Sequence, residues 1–362
     1  AKDLGIVLKK YGAKFVVLGL LITFVGAGAT YACTAFCQNT NQYAVTGVYT
    51  GAMTSSPGLA SALETAEIQA ASLADRYEQA SELDRRSLIR VLTLNEKYSR
   101  LIAENTASLT EEMKLDFVNQ ATAQVGIGSA VGYPFGVIIV ILAVNFLNVI
   151  FKFDVEEEKK KYQLEMEAAR NIQGVRQVPT TEFSIISFAL VCFVGYLIGS
   201  IKVYMGPLGY VSLESTGGVL IAALLLGYIG KIGPISFRMD TKVLGIIREL
   251  GLAFFLAIVG LNYGYGAVDA LTGSGITLAL VSLFVGAVSI MVGFLVGRYL
   301  FKLNWIMLSG AICGGMTSTP GLGAATDAVG SDEPGAGYGA TYPFALFGMV
   351  IFTIILNKLP LL

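Results

Sequence analysis

Apolar residues occur along the chain in long runs that are separated by two polar stretches. A membrane-spanning helix needs about 20 apolar residues, because each residue rises about 1.5 Å. Six long runs and one shorter run (217–230) predict spans: 15–36, 130–151, 183–201, 217–230, 244–264, 275–300 and 338–356. Two further apolar stretches, 43–63 and 305–329, contain Gly, Ser, Thr and Pro. They predict either kinked spans or, as we favour from the repeat described below, re-entrant hairpins.

The composition is typical of a membrane protein. Hydrophobic residues make up 54% of the 362 residues and charged residues 14%, whereas soluble proteins carry about 25% charged residues. Histidine, the commonest metal ligand and general base, is absent from the sequence, and the four cysteines have no zinc-type spacing. The net charge of −1 gives no attraction to nucleic acid. We therefore expect a multi-pass membrane protein that is not an enzyme and has no metal, cofactor or nucleic-acid partner.

The two polar stretches divide the chain into predicted units. Residues 64–120 carry charges of both signs, with apolar residues at helical spacing around 88–92, which predicts a helical hairpin outside the membrane. Residues 152–181 contain three Glu followed by three Lys, which predicts a solvated linker helix. The predicted units are a partial first membrane repeat (1–66), an extramembrane insert (67–121), the last span of the first repeat (122–152), a cytoplasmic linker (153–182) and a complete second repeat (183–362).

One ten-residue motif occurs twice. Residues 51–60 read GAMTSSPGLA and residues 314–323 read GGMTSTPGLG, with identity at seven of ten positions. An apolar run precedes each copy, and a Tyr-Pro-Phe segment follows each, at 133–135 and 342–344. The same order of parts therefore predicts an internal repeat.

Basic residues predict how the two copies are oriented. Lys and Arg before the first span, in the linker, and at 231–242 and 298–302 are expected on the cytoplasmic side. The first motif then enters the membrane from outside and the second from the cytoplasm. Inverted repeats with broken helices are typical of secondary transporters. The predicted fold class is an all-α integral membrane protein, with an inverted repeat and two re-entrant hairpins.

The residue types of the motif predict an anion site. Ser and Thr favour the N-cap, and Pro favours the first helical turn, so each motif is expected to start a half-helix inside the membrane. Backbone N–H groups and the helix dipole at such a start attract anions. Two starts would hold a small dicarboxylate, although close helix packing is the alternative reason for small residues. The predicted substrate-binding residues are Thr54, Ser55, Ser56, Pro57, Gly58, Thr317, Ser318, Thr319, Pro320, Gly321, Tyr133, Tyr342 and Asn262.

Taken together, these segments resemble the aspartate:alanine exchanger family of bacterial membrane transporters. The resemblance rests on the paired motifs, the Tyr-Pro-Phe segments, RELGLAFF at 248–255 and VGLN at 259–262, and it covers residues 5–66, 121–152 and 183–356. It implies exchange of aspartate, alanine or C4 dicarboxylates across the bacterial inner membrane. It also implies a homodimer in which an elevator-like transport domain, bearing the hairpins, moves against a scaffold domain.

Two features differ from the pattern of that family. A short linker stands where the family commonly has TrkA-C regulatory domains, and three predicted spans of the second repeat have no counterpart in the first. The alternative functions are a cation or proton antiporter and a regulatory or scaffold protein without transport. The scarcity of acidic residues in the predicted spans disfavours the antiporter, whereas the three missing counterparts leave the scaffold function open.

Overall fold

The computed structural model describes residues 4–34, 41–172, 179–204, 210–211, 214–272, 275–331 and 333–358. The chain is mostly helical, at 82% of residues. The helices are α1 (Leu4–Thr34), α2 (Gln42–Ala52), α3 (Ser56–Asp75), α4 (Glu82–Leu92), α5 (Glu111–Ile150), α6 (Val155–Ile172), α7 (Ile185–Gly199), α8 (Glu214–Ile229), α9 (Thr241–Thr272), α10 (Gly275–Leu295), α11 (Trp305–Gly315), α12 (Thr319–Val329) and α13 (Pro334–Lys358). A π-helical turn (Val296–Leu300) extends α10.

Two very short β-hairpins add to the all-α architecture that the sequence predicts. β1 (Val203–Tyr204) pairs antiparallel with β2 (Tyr210–Val211), and β3 (Lys231–Ile232) pairs with β4 (Ile235–Ser236). The second hairpin joins α8 to α9 through Gly230 and Gly233, which both have positive φ. These strands connect α7 to α8 and α8 to α9.

Four helical segments in the described part of the chain are long and apolar enough to cross a membrane. They are Lys10–Thr34, Glu111–Ile150, Gly275–Leu300 and Pro334–Asn357. They coincide with the predicted runs 15–36, 130–151, 275–300 and 338–356, although residues 35 and 36 lie outside the described residues. The other three predicted runs correspond to α7, α8 and α9, and their crossing of the membrane stays a prediction.

The two interrupted apolar stretches each form a pair of short helices. Hairpin 1 consists of α2 and α3, and hairpin 2 consists of α11 and α12. Each hairpin begins at an asparagine N-cap: the Oδ1 of Asn41 accepts from the Ala44 N–H (2.9 Å), and the Oδ1 of Asn304 accepts from the Ile306 N–H (2.8 Å). Side-chain caps of this kind satisfy backbone donors that a helix start leaves free, so the same local chemistry starts both hairpins.

Equivalent residues make the same packing contacts in the two halves. Residues of hairpin 2 carry numbers 263 higher than their equivalents in hairpin 1, and residues of α13 carry numbers 209 higher than those of α5. A Cβ on Gly47 would lie 2.1 Å from the carbonyl oxygen of Val125, and a Cβ on its equivalent Gly310 would lie 1.8 Å from that of Pro334, the equivalent of Val125. In both halves, glycine therefore lets the first hairpin helix touch the backbone of the long helix that follows.

The two hairpins begin near opposite ends of α1. α2 begins beside the last turn of α1, where Thr34, Val45 and Leu278 line a small cavity of about 10 Å³. α11 begins beside the other end of α1, where the Nζ of Lys14 donates to the carbonyl of Phe301 at 2.8 Å. Between the two ends, one apolar core joins α1, α2, α5, α6 and α10–α13.

The insert is built from helices that continue out of the bundle. α3 runs on to Asp75 and α5 begins at Glu111, so the predicted boundaries at residues 66 and 121 fall inside helices. α12 stops earlier than α3 because Gly330 ends it in the left-handed conformation (φ 67°), whereas the equivalent position in α3 is Glu67. α4 packs Leu88 and Leu92 into a separate core with α3 and α5, and this insert covers the end of the bundle where hairpin 1 enters.

Candidate functional site: the two hairpin tips

Both hairpins turn through the same backbone motif at their tips, tip 1 (residues 53–58) and tip 2 (316–321). Met53 ends α2, and the N–H groups of Thr54 and Ser55 donate back to the carbonyls of Gly51 and Thr50 at 2.9 Å each. This is the Schellman arrangement, which satisfies the last carbonyls of a helix. The equivalent bonds of tip 2 measure 3.1 and 2.8 Å, so the two tips have the same backbone geometry.

A threonine occupies the strained position of each motif. Thr54 and Thr317 both have φ of 52°, a position that usually carries glycine. A β-branched residue in the left-handed region costs about 1–2 kcal/mol. Because the same strain occurs at both equivalent positions, we infer that the threonine hydroxyls compensate for it.

The two threonines bond the tips to each other reciprocally. The Oγ1 of Thr54 donates to the carbonyl of Met316, and the Oγ1 of Thr317 donates to the carbonyl of Met53, each at 2.9 Å. In a continuous helix, the Met53 carbonyl would accept from the N–H four residues later, but that residue is Pro57, and the equivalent residue in tip 2 is also proline. Each hydroxyl therefore satisfies a buried carbonyl of the opposite tip.

The predicted cap serines occupy the N-cap of each second helix. The Oγ of Ser55 accepts from the Gly58 N–H at 3.0 Å, and the Oγ of Ser318 accepts from the Gly321 N–H at 3.1 Å. Both serines are buried. The two hydroxyls therefore hold the starts of the second helices in place.

The predicted glycines lie where each half-helix packs against the last helix of the other half. A Cβ on Gly58 would lie 2.9 Å from the Cε of Met349 in α13, and a Cβ on Gly321 would lie 2.3 Å from a methyl group of Val140 in α5. Met349 and Val140 are equivalent residues, 209 positions apart. The packing of both tips thus crosses from one repeat to the other.

Four predicted residues at the tips remain partly accessible or exposed. Ser56, Pro57 and Thr319 are half-buried and Pro320 is exposed. The second residue of each half-helix is a proline without an N–H, and the third donates to the cap serine. The N–H groups of Ser56 and Thr319 are therefore the first-turn donors that the caps do not use, and they are the best-placed donors for an anion.

One tyrosine of α13 lies beside tip 2, and a second tyrosine stacks on it. Tyr342 stacks on Tyr338 with ring centroids 5.0 Å apart, and the Tyr338 hydroxyl lies 3.4 Å from the Oγ1 of Thr319. Sequence reasoning selected Tyr342 and missed Tyr338, although the two are one helical turn apart and share a helix face. Tyr133, the equivalent of Tyr342, is half-buried in α5. Asn262 belongs to α9, and its side chain lies outside the described residues.

Ser289 of α10 is a second polar residue that sequence reasoning missed. A Cβ on Gly26 would lie 3.0 Å from the Oγ of Ser289 and 2.8 Å from the Sδ of Met53, so this hydroxyl lies beside tip 1. Ser289 is fully buried, and among the described residues its Oγ has no hydrogen-bond partner. Since buried hydroxyls are nearly always paired, Ser289 is a candidate ligand contact.

The electrostatics of the tips come from backbone and hydroxyl dipoles. The sequences of tip 1 and tip 2 contain no charged residue. Within the described ranges, no group of three or more His, Cys, Asp and Glu residues is arranged to hold a metal ion. An anion at the tips would therefore meet the positive ends of two half-helices without an opposing carboxylate from either tip.

Comparison with known proteins gives one family and several relatives. The family model described as a predicted permease membrane region matches residues 3–80 and 187–358. Uncharacterized transporters of Bacteroides thetaiotaomicron, Bacteroides fragilis and Desulfotalea psychrophila are 36%, 38% and 35% identical to this chain over 51%, 49% and 53% of its length. These alignments span 34%, 33% and 35% of the relatives, so the chain covers about a third of the curated relatives that it matches. No solved structure matches the chain.

Proposed function

Because this chain belongs to the aspartate–alanine exchanger family of predicted permeases, we propose that it is a secondary transporter that exchanges acidic amino acids or small dicarboxylates. The observation that carries the proposal is the direct contact between the two equivalent hairpin tips. Paired half-helix starts at the centre of an inverted repeat are the usual substrate site of such transporters. In this proposal the substrate carboxylates bind between tip 1 and tip 2.

The transport domain in this proposal is the unit that shares the main core. The first helix of hairpin 1 and both helices of hairpin 2 pack with α1, α5, α10 and α13 in that core, which supports the two hairpins moving together. α7, α8 and α9 form the scaffold, against which the hairpin unit moves in an elevator-like, alternating-access cycle. A homodimer in the bacterial inner membrane is the assembly that we propose, on the resemblance to the family.

The charge of the tips favours a substrate with one net negative charge. Each helix start carries about half a positive charge, so two starts together match about one negative charge. Aspartate carries one net negative charge at neutral pH, whereas succinate carries two, because both of its carboxyl groups ionise well below pH 7. We therefore expect aspartate to be exchanged without a co-ion and a dicarboxylate to need a proton or cation with it.

The proposal assigns different roles to the residues of the tips. Ser56 and Thr319 provide N–H and hydroxyl donors to the substrate, whereas Ser55 and Ser318 hold the helix starts by capping. Thr54 and Thr317, predicted as substrate contacts, join the tips when these are closed, and they become donors to substrate only when the tips separate. Tyr133, Tyr342 and Ser289 complete the lining of the site.

The test is counterflow of labelled aspartate into proteoliposomes that contain the purified protein. Ser56→Ala and Thr319→Ala should each raise the KM for aspartate about tenfold, since hydrogen bonds to charged groups contribute about 1.5–3 kcal/mol. Thr46→Val is the matched control, because the Thr46 hydroxyl bonds to the Gln42 carbonyl within α2 (2.9 Å). It should leave KM unchanged.

Two results would reject the proposal. The function fails if wild-type protein exchanges none of aspartate, alanine, succinate, fumarate and malate in any pairwise combination. The assignment of the Ser56 and Thr319 hydroxyls to the substrate fails if these variants have the same KM as the Thr46 variant. The pH dependence of succinate and aspartate uptake then separates the two substrate classes, because proton coupling predicts faster uptake of succinate at lower pH.

A further inference from the structure

The linker helix α6 lies across the entrance of hairpin 2. Tyr162 of α6 is buried in the main core, at 1% exposure. Lys159 of α6 donates through its Nζ to the carbonyls of Val329 and Gly330, at 3.4 and 3.3 Å, where α12 ends. The linker was predicted as a solvated helix, but one of its faces contacts the membrane bundle.

Glu158 is the centre of these contacts. Its two carboxylate oxygens accept from the two terminal nitrogens of Arg298, each at 3.1 Å, which is a bidentate pairing. One of the oxygens also accepts from the N–H of Trp305, the first residue of α11, at 2.8 Å. The Glu158 backbone carbonyl accepts from the Nδ2 of Asn304 at 2.7 Å. A single residue of the linker thus bonds to the end of α10 and to the start of hairpin 2.

Burial makes this cluster more than a surface ion pair. The side chain of Glu158 is 10% exposed and that of Arg298 is 22% exposed. The Arg298 guanidinium also lies 4.3 Å from the centroid of the Phe153 ring. Removing one partner of a buried, hydrogen-bonded charge pair leaves an uncompensated charge, so separating α6 from hairpin 2 is costly at this point.

The first helix of hairpin 1 begins with a different contact. The equivalent of Asn304 is Asn41, and its Nδ2 donates to the neutral side chain of Gln124 at 3.2 Å. α6 therefore bonds to both legs of hairpin 2, α11 through Glu158 and α12 through Lys159, and hairpin 1 is bonded differently. The entrances of the two hairpins are therefore held by different contacts.

We propose that α6 is the gate at the hairpin 2 end of the substrate path and that Glu158 is the positioning residue that holds it closed. Opening this end requires the Glu158–Arg298 pair and the Glu158–Trp305 bond to break together. The gating role of α6 rests on the transport function proposed above. The contact itself is tested without transport.

The experiment uses Cys313, a fully buried residue of α11, as a reporter of hairpin 2 opening. Cys33, Cys37 and Cys192 are replaced by Ala, and alkylation of Cys313 by N-ethylmaleimide is timed in protein reconstituted in liposomes. Glu158→Gln should accelerate alkylation at least about tenfold, because a hydrogen-bonded charge pair is lost and local opening becomes more frequent. Arg298→Lys, which keeps the charge but loses the paired geometry, should give an intermediate rate.

Glu157→Gln is the matched control. It removes the same charge one residue away, from an exposed pair with Lys161 at 2.7 Å, and it should change the rate less than about twofold. Hydrogen exchange gives a second readout in the same samples: Glu158→Gln should speed exchange in α11 and leave α2 unchanged. Equal rates for Glu158→Gln and Glu157→Gln, or equal acceleration in α2 and α11, overturn the gate.

Transport measurements distinguish the two proposals. If Glu158→Gln accelerates alkylation of Cys313 but wild-type protein exchanges no substrate, the contact only stabilises hairpin 2 and the proposed function fails. If wild-type protein exchanges substrate and Glu158→Gln leaves the alkylation rate of Cys313 unchanged, the proposed gate is wrong and the proposed transport function is retained. If both proposals are correct, Glu158→Gln should change the maximal exchange rate more than the KM, since Glu158 does not touch the substrate.

Discussion

Replacing Thr54 by Val tests the reciprocal bonding of the two tips. Valine keeps the volume and the β-branch, so the backbone strain at φ 52° stays, while the donor to the Met316 carbonyl disappears. A buried acceptor without a partner costs about 1–3 kcal/mol. Thr54→Val and Thr317→Val should each destabilise the protein by about that amount, and the double variant should cost less than the sum, because the two bonds hold the same contact.

Substitution by glycine separates the hydroxyl from the strain. Thr54→Gly loses the same hydrogen bond but relieves about 1–2 kcal/mol of left-handed strain, so it should destabilise less than Thr54→Val. Thr50→Val is the matched control, because the Thr50 hydroxyl donates to the Gly47 carbonyl of the same helix at 2.8 Å. When that hydroxyl is removed, the Gly47 carbonyl still accepts from a backbone N–H of the helix. The cost of Thr50→Val should stay below about 1 kcal/mol.

Denaturant unfolding of the purified protein in detergent, followed by circular dichroism, measures these differences. If Thr54→Val and Thr317→Val unfold at the same denaturant concentration as Thr50→Val, the tip bonds do not stabilise the protein. A loss of stability for only one of the two threonine variants would also contradict the prediction, because equivalent bonds of equal length should contribute similarly.

Three further predictions concern packing, the insert and pH. Gly310→Ala should prevent folding or cost more than about 3 kcal/mol, because its Cβ would lie 1.8 Å from a backbone carbonyl, while Gly323→Ala, with no atom within 4 Å, should be neutral in thermal unfolding. Leu88→Ala should cost about 2–5 kcal/mol and expose the insert to limited proteolysis, whereas Leu83→Ala, at a position that is 76% exposed, should not. Burial alone would raise the pKa of Glu158, but the bonds from Arg298 and the Trp305 N–H lower it overall. The stabilisation by Glu158 should therefore be complete above the unfolded pKa of about 4.3 and be lost as the pH falls through the lower folded value. Melting temperatures from pH 6 to pH 3 should fall more steeply for wild type than for Glu158→Gln.

Local chemistry in the sequence predicts where each hairpin breaks. Ser55 and Ser318 are strong N-caps, followed by proline in the first turn, and these signals need no knowledge of distant residues. The structure places the start of each second helix there. The expectation that these starts bind an anion stays a prediction.

The contacts between the tips could not be predicted from the sequence. They join Thr54 to Met316 and Thr317 to Met53, residues 262 and 264 positions apart, and only the assembled repeat brings them together. Sequence reasoning treated both threonines as free donors, whereas their hydroxyls are engaged in this closed arrangement. The repeat itself signals that equivalent residues lie near a common axis, but it does not specify which atoms meet.

The boundaries of the insert show a different limit of sequence reasoning. Charge density marks residues 64–120 as polar, yet it does not reveal that α3 continues as far as Asp75. The informative signal is the missing glycine: Gly330 ends α12, and Glu67 at the equivalent position leaves α3 free to continue through an alanine-rich segment. The bonding of α6 to hairpin 2 was missed for a related reason, since Glu158 stands within a run of six charges and is buried by its tertiary contacts.

The two threonine hydrogen bonds between the tips depend on each other, because each joins the same two tips. Pulling the tips apart breaks both bonds at once and leaves the Met53 and Met316 carbonyls without donors, so a half-open arrangement gains nothing over a fully open one. At the same moment both threonines lose the contact that holds their strained backbone, which favours their relaxation to ordinary angles. Loss of the contact between the tips therefore frees both threonines together, whichever hairpin moves away.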